Sequence, residues 1–137
     1  MKEVIRVYVA ARFAKKDFVA ETVTTLEKHG FVVVSTWHLE QVKSSVNLED
    51  LSLDYHIETA TRDLQEIKSA DVILSFSESP NEPHVRGGRH VEFGYGLALK
   101  KFMVVVGPRE NIFHCLPEIH VVSGLGQAMM VMTAKVK

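Results

Sequence analysis

Along the chain, short apolar runs alternate with longer stretches in which apolar residues return every three or four positions. The first pattern reads as buried strand, the second as the inward face of a helix. Val4 to Val9 is the first strand, and Phe18, Val19, Val23 and Leu26 then recur at helical spacing until Gly30 ends the helix. Phe31 to Val34 is a second strand. The segment Thr36 to Leu53 is polar and weakly patterned, which predicts a long loop containing a short helix, and loops of that length in compact domains are often functional. Ile57, Ala60, Leu64 and Ile67 form a helical stripe and Val72 to Phe76 a third strand. After the loop SESPNEPHVRGG a helix is predicted over about Arg89 to Lys100, followed by strands at Phe102 to Val106 and Ile119 to Val122 and a helix over about Gly124 to Lys135.

Five strands in alternation with helices predict a three-layer α/β/α fold around a five-stranded parallel sheet, flavodoxin-like or Rossmann-like. With no repeat, linker or low-complexity stretch, residues 1–137 read as a single domain. Ligands of such sheets lie beyond the carboxyl ends of the strands. The loops there carry Ala10-Ala11-Arg12-Phe13, Trp37-His38, Ser75 to Gly88 and Gly107 to Pro117.

Composition narrows the partners. The 137 residues are 46% hydrophobic, enough for a real core, and 16 basic residues balance 17 acidic ones without a basic run. A nucleic acid polymer is therefore not an expected partner. No apolar run approaches the roughly 20 residues that span a bilayer, so no membrane partner is expected. Cys115 is the only cysteine, and MKEVIRVYVAAR carries charges where a signal segment would be apolar, which together predict a cytoplasmic setting. Seven histidines show no H-E-x-x-H and Cys115 has no C-x-x-C partner, so neither a metal nor another cofactor is expected.

The stretch RGGRHVEFGYG raises the chemistry. Gly94 and Gly96 each cost about 1 kcal/mol against alanine inside a helix, which implies a close neighbour, whether substrate or another element. Gly87 and Gly88 would let backbone amides approach a ligand, although the spacing is not the dinucleotide fingerprint G-x-G-x-x-G. Glu92 is predicted in the first turn, where the helix dipole would hold it ionised. Asp63 lies at the edge of the apolar stripe of Ala60, Leu64 and Ile67, either as an ion pair with Arg62 or as a second carboxylate in the cleft. Two carboxylates in one cleft suit glycosidic chemistry.

Taken in order, VYVAARF, STWHLE, ATRDLQEIKSADVIL, RGGRHVEFGYGLALKK and GPRENIFHCLP resemble the nucleoside 2-deoxyribosyltransferase superfamily, including its 2′-deoxynucleoside 5′-phosphate N-hydrolases and nucleotide N-glycosidases. The resemblance implies that Glu92 is a nucleophile for the anomeric carbon, that Tyr8 orients it, and that Asp63 contacts sugar or base. It places Phe13, Trp37 and His38 at the substrate, Trp37 either stacking on a base or packing in the core. Arg12 and Arg86 stand where relatives have neutral or acidic groups, and together with Gly87 and Gly88 they suit an anionic substrate group; Arg86 could instead pair with Glu78 or Glu82. Arg109, Asn111 and His114 would complete a neighbouring subunit's pocket, which implies a homodimer or larger assembly. The implied activity is cleavage of the N-glycosidic bond of a nucleoside or nucleoside 5′-monophosphate. VMTAKVK lacks the carboxyl-terminal pattern of the transferases, so hydrolysis is favoured over deoxyribosyl transfer. The alternative is a non-catalytic module that binds a nucleotide or an ADP-ribose-like ligand.

Overall fold

A computed structural model describes residues 4–42, 47–79 and 87–135. Among them are five strands, β1 (Arg6–Ala10), β2 (Val32–Val33), β3 (Val72–Phe76), β4 (Phe102–Val106) and β5 (Ile119–Val122). Four α-helices accompany them: α1 (Lys16–Lys28), α2 (Leu53–Ser69), α3 (Gly88–Ala98) and α4 (Leu125–Lys135). All strand pairs are parallel, in the order β2-β1-β3-β4-β5. This is the expected α/β architecture in its flavodoxin-like order, whose ligand crevice opens where the winding reverses, between the carboxyl ends of β1 and β3.

The strands form where they do because both faces of the sheet are covered. All five residues of β3, VILSF, are buried, as the continuous apolar run of a central parallel strand requires. The edge strand β2 keeps only two residues, with Val32 exposed. The stretch from Thr36 to Leu53 holds two short 3-10 turns, Trp37–Leu39 and Leu48–Asp50, before Ser52 caps α2 by accepting a hydrogen bond from the Tyr55 N–H.

Register fixes which side chains meet α3. Tyr8 pairs with Ile73 and Ile73 with Met103, so the three point to one face of the sheet. On that face a Cβ at Gly96 would stand 2.4 Å from Ile73 Cγ1, a distance no side chain tolerates. Gly96 is thus the reason α3 can lie so close to β3, and it accounts for one of the two costly helix glycines. Around Gly94 nothing lies within 4 Å. Val7 and Val9 alternate to the opposite face, and α2 and α3 pack against each other on the Tyr8 side. No helix of the described residues is long and apolar enough to cross a membrane.

Candidate active site

Close approach of α3 brings its Glu92, one turn before Gly96, over the sheet. There the buried Tyr8 hydroxyl donates a hydrogen bond to Glu92 Oε2. Residues 84 positions apart in sequence thus meet at the centre of the fold. Glu92 is not in the first turn. Gly87, at φ 87°, bends the chain so that the helix opens at Gly88, and Glu92 is its fifth residue, beyond the free N–H groups of the helix end. The expectation that the helix dipole holds it ionised is therefore corrected: burial dominates and raises its pKa to about 8, against the hydrogen bond from Tyr8, while the carboxylates of Asp63 and Glu66 push the same way as burial. Burial also raises the Tyr8 pKa strongly, with Glu92 and Asp63 adding to it, so the phenol keeps its proton and remains the donor.

Asp63 lies on α2, facing the same region, and both readings of it apply. Arg62 donates to Asp63 Oδ1 through Nε at 3.2 Å and Nη2 at 3.0 Å, while burial still raises the Asp63 pKa. The third guanidinium nitrogen, Nη1, donates to Glu40, and Tyr55 donates its hydroxyl to the other oxygen of the same carboxylate. These hydrogen bonds, first that from Tyr55, hold the Glu40 pKa below its usual value against the opposing effect of burial.

These groups form the wall of a cavity of about 180 Å³. Phe13 and Trp37 make its aromatic side, Leu48 and Leu51 an apolar side, and Glu40, Tyr55, Arg62 and Asp63 its polar side. Tyr8 and Glu92 stand outside the cavity lining; Asp63, which belongs to it, acts on both through its charge and raises their pKa values. Trp37 packs in the core, its indole N–H donating to the Val9 carbonyl at 2.7 Å, and it also contributes to the cavity wall. Lys16 fastens the loop above, donating from Nζ to the carbonyl oxygens of Glu40 at 2.9 Å and Val42 at 2.8 Å.

Other expected residues are not brought into this cavity. His38 is half-buried outside its lining, with Nδ1 lacking a hydrogen-bond partner and its pKa lowered by burial against the pull of Glu27 and Glu66. Arg12 lies 3.9 Å from the buried Glu78, which Lys15 also meets at 2.6 Å. Arg86 lies outside the described residues. Gly87 and Gly88 form the start of α3. Arg109 is exposed, and Asn111 caps the turn Ile112–Cys115 by accepting from the Phe113 N–H.

His114 is engaged within its own chain. Only 2% exposed, it accepts the Glu110 N–H at Nδ1 at 3.0 Å and packs edge-on against Phe93, so its ring serves its own chain and is not presented to a neighbour. Glu110 in turn makes a two-pronged pair with Arg89, a buried residue of α3, and accepts the Glu78 N–H at 3.1 Å.

Sequence reading passed over Glu40, Tyr55, Arg89 and Glu110. For Tyr55 a signal existed: Tyr55, Thr59 and Arg62 recur at helical spacing beside Asp63, a polar stripe flanking the apolar one. Nothing local marks Glu40 or Glu110.

No protein-family model matches the chain, and no curated protein does. Among solved structures, the Clostridium botulinum CMP N-glycosidase BcmB matches over 85% of this chain and 87% of its own, with a TM-score of 0.57 and 20% sequence identity. That likeness is one of fold. It is the fold implied by the resemblance to nucleotide N-glycosidases.

Proposed function

We propose that the protein cleaves the N-glycosidic bond of a nucleoside or nucleoside 5′-monophosphate, with Glu92 as nucleophile. The observation that carries the reading is the Tyr8–Glu92 hydrogen bond, on which the charge of Asp63 acts from the wall of a cavity with two aromatic side chains. An aromatic wall suits the flat face of a base, and the carboxyl end suits its sugar. The shared fold with a CMP N-glycosidase supports the same reading.

In this mechanism the ionised Glu92 attacks the anomeric carbon, the bond to the base nitrogen breaks with its electron pair leaving on the base, and the base takes up a proton. In this reading Asp63, whose pKa burial raises, supplies that proton or holds a sugar hydroxyl. Water then cleaves the glycosyl ester and restores the carboxylate, as in retaining glycosidases. With its pKa raised to about 8, Glu92 is mostly protonated near neutral pH in the free protein. Positive charge developing at the anomeric carbon favours the ionised form, and the bond from Tyr8 then becomes charge-assisted and stronger. Hydrolysis is favoured over transfer, and a homodimer or larger cytoplasmic assembly remains part of the proposal.

The test is to incubate the protein with a panel of nucleosides and their 5′-monophosphates and to follow free base by chromatography. Release by the native chain and its loss in Glu92→Gln support the reading. Tight binding of a nucleotide with no base released from any member would assign the cavity to a ligand-binding module instead.

A further inference from the structure

We infer that Glu40 and Arg62 read the base, and that they select a nucleotide whose base carries an exocyclic amine beside an unprotonated ring nitrogen, as cytosine and adenine do, over the oxo bases uracil and hypoxanthine. The inference deepens the reading above and rests on it for the nature of the ligand.

The argument begins with unused hydrogen-bonding capacity. A carboxylate has about four lone-pair positions. Glu40 spends one on the Tyr55 hydroxyl and one on Arg62 Nη1, one at each oxygen, and its side chain stays 22% exposed on the cavity wall. Arg62 has five N–H groups, of which Nε, one at Nη2 and one at Nη1 are engaged by Asp63 and Glu40. One N–H on each terminal nitrogen is left, on a side chain that is 29% exposed and lines the same cavity. The polar wall therefore presents acceptors next to donors.

That order has a complement. An amino base offers a donor, its exocyclic amine, next to an acceptor, its ring nitrogen. The corresponding oxo base offers the reverse, a carbonyl oxygen next to a ring N–H. Set against this wall, its carbonyl would face a carboxylate and its N–H a guanidinium, and both partners would be left unsatisfied in a partly enclosed site.

Position is held as firmly as chemistry. Tyr55 and Arg62 both come from α2, and Glu40 sits on the loop that Lys16 fastens by two backbone carbonyls. A group fixed from three sides does not turn its carboxylate away to admit the wrong base. Arg62 also joins the recognition end to Asp63, so the ring read at Glu40 lies within one guanidinium of the reacting end.

The experiment measures equilibrium binding of cytidine, uridine, adenosine and inosine 5′-monophosphates to the full chain carrying Glu92→Gln, with base release by the native chain followed in parallel. The amino member of each pair should bind at least ~10-fold tighter than its oxo partner. Adding Glu40→Gln, which gives the position a donor, should collapse that ratio while binding of the oxo member holds or improves, a result that loss of folding cannot produce. Should Glu40→Gln not fold, Tyr55→Phe keeps the charge but removes one of the bonds that fix the carboxylate's orientation, and should lower the ratio ~3-fold. Equal affinities within each pair, a ratio unmoved by both variants, or no binding of any of the four would overturn the inference. Preference without base release overturns the catalytic reading and leaves this one standing. Release with equal affinities does the opposite.

Discussion

Two carboxylates meet helix α3, and their surroundings pull them apart. Glu92, on the helix, faces a neutral phenol and two further carboxylates, and its pKa rises to about 8, burial being the main cause. Glu110, from the loop after β4, faces the guanidinium of Arg89 and accepts a backbone N–H, and its pKa falls below the usual value despite burial. Both are shielded from water, so burial alone does not decide the protonation state. The partner does. A permanent cation makes a structural carboxylate; a phenol that can only share a proton leaves one whose charge is expensive and therefore available for chemistry.

The largest expected effect comes from removing the charge at the reactive member. Glu92→Gln should lower kcat for base release by ~10³-fold or more while leaving nucleotide affinity within a few-fold, as base release and equilibrium binding would report. Retained turnover would place the nucleophile elsewhere.

Breaking the other pair should damage the fold instead. Arg89→Ala removes the buried partner of the half-buried Glu110 carboxylate and leaves its charge unpaired, at a cost of about 3 kcal/mol in urea unfolding. Adding Glu110→Gln should recover most of it, because no charge is then left unpaired. Stability unchanged in Arg89→Ala would make this ion pair incidental.

Acidity separates the two further. The folded pKa of Glu92 lies above its unfolded value, so the native state holds an extra proton between about pH 4.5 and 8 and stability from this group falls as pH rises through that window. Glu110 has the opposite sign: its contribution is present above the ordinary carboxylate pKa and is lost as pH falls through its lower folded value. Thermal melts across pH should show Glu92→Gln flattening the first slope only. In the native chain kcat/KM should climb with pH and level off above about 8; a flat profile below that pH would contradict an ionised nucleophile.

The smallest effects concern the two glycines. Gly96→Ala drives a methyl into Ile73 and should cost about 1–3 kcal/mol together with activity, since α3 must lift Glu92 away from Tyr8. Gly94→Ala meets nothing and should stabilise by about 0.5–1 kcal/mol with activity retained. Denaturation of both variants, alongside base release, checks the contrast.

Why the sequence yielded the sheet but only part of the site follows from the range of the interactions. Strands such as VILSF declare themselves because burial on both faces demands an unbroken apolar run, and Gly30 marks a helix end by local chemistry. Glu92 and Asp63 stood out because glycines and an apolar stripe surround them. Its place in the helix was misjudged because the left-handed turn at Gly87 starts α3 at Gly88. Arg89 reads as a surface residue until Glu110, 21 positions on, folds against it. Glu40 gains its meaning from Tyr55 and Arg62, 15 and 22 positions away. His114 was expected at a neighbouring subunit's pocket and lies buried in its own chain, since nothing nearby in sequence reveals that it packs edge-on against Phe93.

The tether at Lys16 has a consequence for how this protein can change over generations. Its ammonium holds the Glu40 loop by the carbonyl oxygens of residues 40 and 42, and every amino acid supplies that oxygen. The side chains of the strap can therefore be exchanged without loosening it. A lineage could rewrite what position 40 recognises while inheriting unaltered the fastening that holds it in place.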